Sequence, residues 1–89
     1  MIEINIEDGM YNPANINIVP DEKVKWVNNT KKDHTVSSTD QVTFNSGILK
    51  PGEVYEYMFK EKGIFGYECD LHPGEVQGEI EVAPKPAAY

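Results

Sequence analysis

The sequence predicts an all-β fold, a Greek-key β-sandwich of about seven or eight strands. Short apolar runs alternate with polar residues at a period of two, which is typical of half-buried strands. Turn-forming Gly, Pro, Asn and Asp residues separate these runs. No segment shows the apolar spacing of an amphipathic helix over ten residues. Short strands with turns between them favour two packed sheets, and we expect the strands to be antiparallel.

The predicted strands share this alternation or a short β-compatible run. They lie, in order, at 2–6, 15–18, 23–27, 34–37, 54–59, 64–68 and 77–82. In the third strand, Val24 and Trp26 are expected to lie on one face because alternate side chains of a strand point the same way. The segment EDGMYNP at 7–13 contains Gly, Asn and Pro and predicts a turn or loop, and NNTKKD at 28–33 predicts a polar turn. Residues 38–53 predict an irregular connection.

Length and charge restrict the classes of protein to which the chain can belong. Its 89 residues are enough for one small domain, which we place at residues 1–83, and the Pro/Ala-rich residues 84–89 are expected to form a tail or linker stub. The net charge of −7 argues against binding to nucleic acid or to an anionic membrane surface, and it favours a partner with a basic surface. No apolar run approaches the ~20 residues that a membrane helix needs, so this domain is not expected to insert into a membrane.

The chain contains one cysteine, Cys69, and two histidines, His34 and His72. A single cysteine cannot form an internal disulfide. Two imidazoles and one thiolate make up the trigonal ligand set of electron-transferring copper, and the Cys-x-x-His spacing lets Cys69 and His72 reach one ion from a tight loop. Zinc is disfavoured because no clear fourth ligand is present. Residue types alone leave two alternatives open, in which Cys69 is buried packing or pairs with a histidine as a nucleophile.

Five motifs carry a resemblance to a known family. They occur in chain order as MYNPANINI, DEKVKWVNNT, DHTV, FNSGILKPGEVYEYMF and GIFGYECDLHP. Together they resemble the plastocyanin/amicyanin branch of the cupredoxins, the small blue copper proteins, from Ile2 to Val82. The last motif is similar to the Gly-x-Tyr-x-Tyr-x-Cys-x-x-His-Pro segment of that family, with Phe65 in the first aromatic position. The resemblance implies a Greek-key sandwich that holds one copper ion per chain.

By this resemblance, His34, Cys69 and His72 are the equatorial copper ligands. The resemblance also implies a one-electron carrier between redox partners, not an enzyme, with an oxidised form that is blue or green. The alternative is a small copper redox enzyme or sensor that binds an exogenous ligand at an open axial position.

The axial position departs from the family pattern. The family places an axial methionine in a Met-x-Gly motif at the head of the last strand, and this chain has Val76 two residues before Gly78. We expect Val76 to face the copper without coordinating it, because a one-residue slip would turn Ile80 and Val82 out of the core. Counted from the second histidine, Glu75 falls where the shortest family loops put methionine, and Gln77 falls where longer loops put it. Glu75 is the runner-up.

Carboxylates flank the expected ligands in sequence, at Asp33, Glu68, Asp70 and Glu75. We expect them to lower the reduction potential and to attract a redox partner with a basic surface. A copper site of this type suits a reducing, copper-scavenging cytosol poorly. We therefore expect a monomer that works outside the cytoplasm, in the periplasm or tethered at a cell surface, with the signal or anchor not present in this chain.

Overall fold

Eight β-strands make up the regular structure of the computed structural model, which describes residues 2–40, 42–71 and 77–83. In chain order they are β1 (Ile2–Glu7), β2 (Met10–Asn12), β3 (Asn15–Ile18), β4 (Glu22–Asn28), β5 (Ser37–Ser38), β6 (Val54–Phe59), β7 (Gly63–Glu68) and β8 (Gln77–Val82). The all-β prediction is confirmed. No helix that is long and apolar enough to cross a membrane occurs in this described part of the chain.

The strands form two four-stranded sheets. The first sheet has the order β2-β1-β4-β6 and the second has the order β3-β8-β7-β5, so the chain crosses repeatedly between the sheets of a Greek-key sandwich. The expectation of purely antiparallel strands is wrong, because β1 runs parallel to β4 and β3 runs parallel to β8. Strands that are well separated in sequence can pair in parallel through a crossover, and a period-two pattern does not reveal strand direction.

Two local expectations are also corrected. Residues 10–12 of the expected loop form β2, because they pair with the last residues of β1. The expected strand at 34–37 is shorter than predicted. His34 makes an isolated bridge with Leu49, and only Ser37 and Ser38 form a strand. His34 is therefore held where two loop segments are tied together, outside the named strands.

Inward-facing residues of both sheets form one hydrophobic core. Ile4 and Ile6 of β1, together with Val24 and Trp26 of β4, are fully buried, as the alternating pattern predicts. The Trp26 ring meets the Tyr67 ring of the other sheet edge-on, with centroids 5.4 Å apart. Such edge-to-face packing joins the two sheets through large rigid rings.

The pairing of β7 with β8 fixes the position of the chain directly before Cys69. β7 ends one residue before Cys69 and pairs antiparallel with β8, with Tyr67 opposite Gly78. Ile80 and Val82 are buried, which confirms the predicted register of the last strand. The Tyr67 ring lies directly over Gly78, where an added Cβ would be 2.2 Å from the ring carbon Cζ. Only glycine fits at this position without a shift of the ring.

Candidate metal centre

Cys69 lies directly after β7 and is completely buried as a free thiol. Its Sγ accepts a hydrogen bond from the backbone N–H of Thr35 at a distance of 3.4 Å. The sulfur thus has a backbone donor as a neighbour and not only apolar side chains. The environment of Cys69 is therefore that of a ligand or reactive thiol, and the alternative of inert apolar packing loses support.

His34 is also buried, with 2% of its surface exposed. Its backbone N–H donates to the Leu49 carbonyl at 3.0 Å, and the Leu49 N–H donates to the His34 carbonyl at 2.7 Å. This pair of bonds fixes the main chain from which the imidazole projects. The ring atom Nδ1 lies 3.7 Å from the Sγ of Cys69, although the two residues are 35 positions apart in sequence. The structure thus brings together two of the predicted ligands.

The separation of these two atoms fits a shared metal ion. With a metal–sulfur distance of ~2.3 Å and a metal–nitrogen distance of ~2.0 Å, tetrahedral to trigonal angles place the two donors about 3.5–3.8 Å apart. The observed 3.7 Å between Nδ1 of His34 and Sγ of Cys69 lies within this range. A soft thiolate beside an imidazole also matches the donors that select copper. The residues that the structure describes at this site therefore fit a copper ion.

All three polar groups of Thr35 make hydrogen bonds, and two of these bonds join the segment of His34 to the segment of Cys69. Its N–H reaches the sulfur of Cys69, and its hydroxyl Oγ1 accepts a hydrogen bond from the N–H of Asp70 at 2.7 Å. Its carbonyl accepts a hydrogen bond from the hydroxyl of Tyr11, also at 2.7 Å. Thr35 follows His34 and faces the loop of Cys69, so these bonds hold the two expected ligands in a fixed relation.

Asn28 organises the loop that leads from β4 to His34. Its side-chain Nδ2 donates to the carbonyls of Lys32 and Leu49, each at 2.8 Å. Its Oδ1 accepts hydrogen bonds from the N–H of Thr30 at 3.0 Å and from the Thr30 hydroxyl at 2.7 Å. The side chain is fully buried and uses both ends of its amide. The Leu49 carbonyl also accepts the hydrogen bond from the His34 N–H. The Asn28 amide therefore holds the carbonyl to which the His34 main chain is bound.

Tyr11 of β2 is fully buried beside this hydrogen-bonded group. Burial raises the pKa of its hydroxyl above the ordinary value of a tyrosine, and the neighbouring Cys69 adds to the effect. Both causes disfavour the phenolate. The Tyr11 hydroxyl therefore stays protonated and remains a donor to the Thr35 carbonyl.

The remaining predicted site residues fall in a gap of the described chain. His72, Glu75 and Val76 lie outside the described residues, as do the other positions from 72 to 76. Among residues 2–40, 42–71 and 77–83, no group of three or more His, Cys, Asp or Glu side chains converges as a metal site. The third equatorial ligand and the axial position thus remain predictions.

The surface around the site is polar with apolar residues interspersed. Asp33 and Asp70, which adjoin the expected ligands, are exposed, and Glu68 is half-buried at the end of β7. Met10 is 46% exposed and Leu71 is 45% exposed, so apolar side chains also reach solvent on segments next to Tyr11 and Cys69. The predicted carboxylates at 33, 68 and 70 are therefore at least partly open to solvent on residues adjacent to His34 or Cys69.

Sequence reasoning missed three residues that position the site: Asn28, Thr35 and Tyr11. They act through hydrogen bonds between segments that are distant in sequence, and residue type alone does not show which segments the fold brings together. The available signal was their place in the motifs that carry the family resemblance: Tyr11 lies in MYNPANINI, Asn28 in DEKVKWVNNT and Thr35 in DHTV.

Comparison with known families decides the assignment of the chain. The family described as the Cupredoxin-like domain matches residues 1–82. The chain belongs to the cupredoxins. For this cupredoxin, the family and the paired sulfur and nitrogen donors together indicate a copper cofactor.

Individual proteins agree with this assignment. Plastocyanin from Scenedesmus fuscus is 27% identical to this cupredoxin over 84 residues, which cover 82% of this chain and 86% of that protein. Chloroplastic plastocyanin from Tetradesmus obliquus is 27% identical over 75 residues, covering 73% of this chain and 52% of that protein. These identities support common ancestry and leave the specific role of this cupredoxin to be argued from its own residues.

Solved structures show the same architecture. A purple cupredoxin from Nitrosopumilus maritimus matches with a TM-score of 0.83 and 28% sequence identity, covering 93% of this chain and 100% of that chain. An oxidised amicyanin variant matches with a TM-score of 0.85 and 22% identity, covering 92% of this chain and 81% of that chain. The likeness to amicyanin concerns the fold alone.

Proposed function

We propose that this cupredoxin is a type 1 copper protein that carries single electrons between redox partners, with His34, Cys69 and His72 as equatorial ligands. The observation that carries the proposal is the buried contact of 3.7 Å between Nδ1 of His34 and Sγ of Cys69. Bound copper would supply a one-electron couple, Cu(I)/Cu(II). No catalytic residue is assigned, because the proposed role requires no substrate.

The residues around the ligands suit this role because they resist movement. The Leu49 bridge and the Asn28 amide fix the main chain of His34, and Thr35 fixes the segment of Cys69. An electron carrier needs ligands that keep nearly one geometry in both oxidation states. Buried side chains that are held by several hydrogen bonds meet this need, because each shift of a ligand would break a bond that water cannot replace.

The direct test is copper binding with and without the thiolate. We expect the purified protein to take up one copper ion per chain and to show an intense visible band when oxidised, because the thiolate is bound to the metal. Cys69→Ser should abolish this band. The wild-type and variant proteins should show the same far-ultraviolet circular dichroism. A Cys69→Ser protein that keeps its colour would contradict the thiolate assignment.

For the axial position we propose that Val76 stands at the place of the family methionine and does not coordinate copper. The confirmed burial of Ile80 and Val82 supports this proposal, because it favours the strand register from which Val76 was selected. Glu75 remains the runner-up. A valine at this place would leave the thiolate bond short and raise the reduction potential, in opposition to the carboxylates.

A site without an axial protein ligand is also what the second candidate function requires. A small copper redox enzyme or sensor would bind an exogenous ligand there. Titration of the oxidised protein with azide or nitrite separates the two functions. We expect the visible and electron paramagnetic resonance spectra to remain unchanged, as in a carrier, and a saturable spectral shift would favour the enzyme or sensor.

We further propose that the protein works as a monomer outside the cytoplasm and meets a partner with a basic surface. The net charge of −7 and the exposed carboxylates at Asp33 and Asp70 support such a partner. One relative is named a chloroplastic plastocyanin, which agrees with a compartment separate from the cytosol. Cell fractionation of the natural gene product tests the compartment, and sedimentation tests the monomeric state. A cytosolic protein would overturn the first point, and a dimeric protein would overturn the second.

A further inference from the structure

Tyr11 makes one hydrogen bond that connects the core of the sandwich to the metal site. Its hydroxyl donates to the carbonyl of Thr35 over 2.7 Å, across 24 positions of sequence. Tyr11 belongs to β2, which carries no expected ligand, and both the ring and the bond are buried. A bond in this setting is strong and directional, because no water competes for either group.

The ring of Tyr11 has little freedom to move. It packs edge-on against the ring of Tyr67, with centroids 4.7 Å apart. Tyr67 in turn packs edge-on against Trp26 and lies over the backbone of Gly78. The Tyr11 hydroxyl is therefore presented to Thr35 by the rigid centre of the core.

The bond matters to the site because of what else Thr35 does. Its N–H is the donor to the sulfur of Cys69, and its hydroxyl is tied to Asp70. The carbonyl and the N–H belong to the two peptide planes on either side of the Thr35 Cα, and these planes are linked through the φ and ψ angles of Thr35. The bond from Tyr11 and the bond to the Cys69 sulfur therefore restrain the same two backbone angles.

We propose that Tyr11 is a positioning residue for the copper site, whose hydroxyl holds Thr35 so that the Thr35 N–H stays directed at the Cys69 sulfur. This inference rests on the proposed function, since it concerns the electronic properties of the thiolate that binds copper. A hydrogen bond to the sulfur withdraws electron density from the ligand. It therefore favours Cu(I) over Cu(II) and raises the reduction potential.

The test compares Tyr11→Phe with wild-type protein in the copper-loaded state. The variant keeps the ring and its packing but removes the donor. We expect a lower reduction potential, a shifted visible band, and an upfield shift of the Thr35 amide proton in the Cu(I) form, as measured by nuclear magnetic resonance. We also expect the affinity for Cu(I) to fall by roughly tenfold, the lower end of the usual effect of losing a residue that orients a metal ligand.

Tyr67→Phe is the matched control. It also removes a hydroxyl from a fully buried tyrosine in the same ring cluster, two residues from Cys69. Within the described residues, the Tyr67 hydroxyl makes no hydrogen bond of normal geometry to a site group. A general loosening of the core would move the copper properties in both variants, whereas the proposed role predicts a change in Tyr11→Phe alone.

Two further variants keep the test decisive. If Tyr11→Phe does not fold, 4-fluorophenylalanine at position 11 removes the donor while keeping the length of the side chain. The second variant, with 4-aminophenylalanine at position 11, carries an N–H donor in place of the hydroxyl and should bring the potential back from that of Tyr11→Phe toward the wild-type value. Such a return supports the inference, and a failure to recover the potential counts against it.

The outcomes separate this inference from the function on which it rests. A wild-type protein that binds no copper overturns both. A copper-loaded wild type whose potential and Thr35 amide shift are unaffected by loss of the Tyr11 donor overturns the positioning role alone. Equal effects from Tyr11→Phe and Tyr67→Phe would also overturn it.

Discussion

The properties of single residues decide how the copper would be held, and the axial position is where this cupredoxin departs from its family. In the proposed register, Val76 takes the place at which the family expects methionine, and Glu75 precedes it in sequence. Valine offers no donor atom, whereas methionine is a weak axial ligand and glutamate a strong anionic one. The axial residue therefore sets the balance between the two oxidation states.

The axial assignment is tested by Val76→Met beside Glu75→Ala. We expect Val76→Met to add a weak thioether ligand, to lower the reduction potential and to shift the visible band, because a fourth donor weakens the thiolate–copper bond. Glu75→Ala should leave the spectrum unchanged. Electronic spectra and potentials of both variants give the answer. Should only the glutamate variant alter the spectrum, the axial position belongs to Glu75 and the proposed register is wrong.

The residues of the site differ in how far the sequence could predict them. His34 and Cys69 could be selected because imidazole and thiolate are rare and chemically distinctive, and the structure brings them to 3.7 Å. The roles of Asn28, Thr35 and Tyr11 could not be predicted, because each acts through a hydrogen bond between segments that are distant in sequence. Those bonds depend on which loops the fold places side by side, and residue type does not encode that arrangement.

Among the strands, β8 shows what alternation predicts well and what it does not. The buried faces of β1, β4 and β8 follow from residues that alternate with a period of two. The direction of pairing does not, since an apolar stripe looks the same on parallel and antiparallel neighbours. The parallel pairs β1–β4 and β3–β8 arise from the crossover connections of the whole sandwich. Short β2 was missed because the turn residues around it dominate the local pattern.

The contact between β7 and β8 predicts a specific cost for Gly78→Ala. An added Cβ would lie 2.2 Å from Cζ and 2.3 Å from the hydroxyl oxygen of the buried Tyr67 ring. The ring must move into a packed core, and overpacking of this kind costs about 1–3 kcal/mol of unfolding free energy. Urea denaturation of the metal-free protein measures the loss.

Gly66→Ala is the matched control on the neighbouring strand. Its Cβ would meet Oγ1 of Thr39 at 3.2 Å, and Thr39 is an exposed side chain that can move aside. We expect a loss well below that of Gly78→Ala. Similar losses in the two variants would show that the Tyr67 ring does not restrict this position, and that the cost is a general effect of removing glycine from a strand.

The lysines of the eight strands all lie on the first sheet, although the strands of both sheets carry a negative net charge. On the first sheet, Lys25 lies between Glu3 of β1 and Glu56 of β6, and Lys23 makes an ion pair with Glu56 at 3.6 Å. On the second sheet, Glu79 and Glu81 are exposed on β8, and no lysine occurs in the strands of that sheet. The carboxylates of β8 are thus not neutralised by a lysine in the strands of their own sheet.

This distribution predicts that electron exchange with a basic partner slows as salt is added. Opposite charges steer two proteins together, and the gain in rate falls steeply with ionic strength. At physiological ionic strength the screening length is only ~8 Å, so a carrier with net charge −7 should lose much of its advantage. With a positively charged haem protein as the electron donor, we expect the second-order rate to fall roughly tenfold between low and physiological salt. A rate that stays constant would contradict electrostatic steering.

The position of the charge, and not only its total, should matter to that rate. Asp33→Asn with Asp70→Asn removes two exposed carboxylates beside the expected ligands. Glu3→Gln with Asp21→Asn removes the same charge from the start of β1 and the turn before β4, at the other end of these strands. A productive encounter brings the partner close to the copper, and Coulomb attraction declines with distance, so the first double variant should lower the low-salt rate several-fold more than the second. Stopped-flow measurement of both variants at equal ionic strength decides between them. Equal rates would mean that the partner responds only to the net charge of the molecule and does not dock at the metal end.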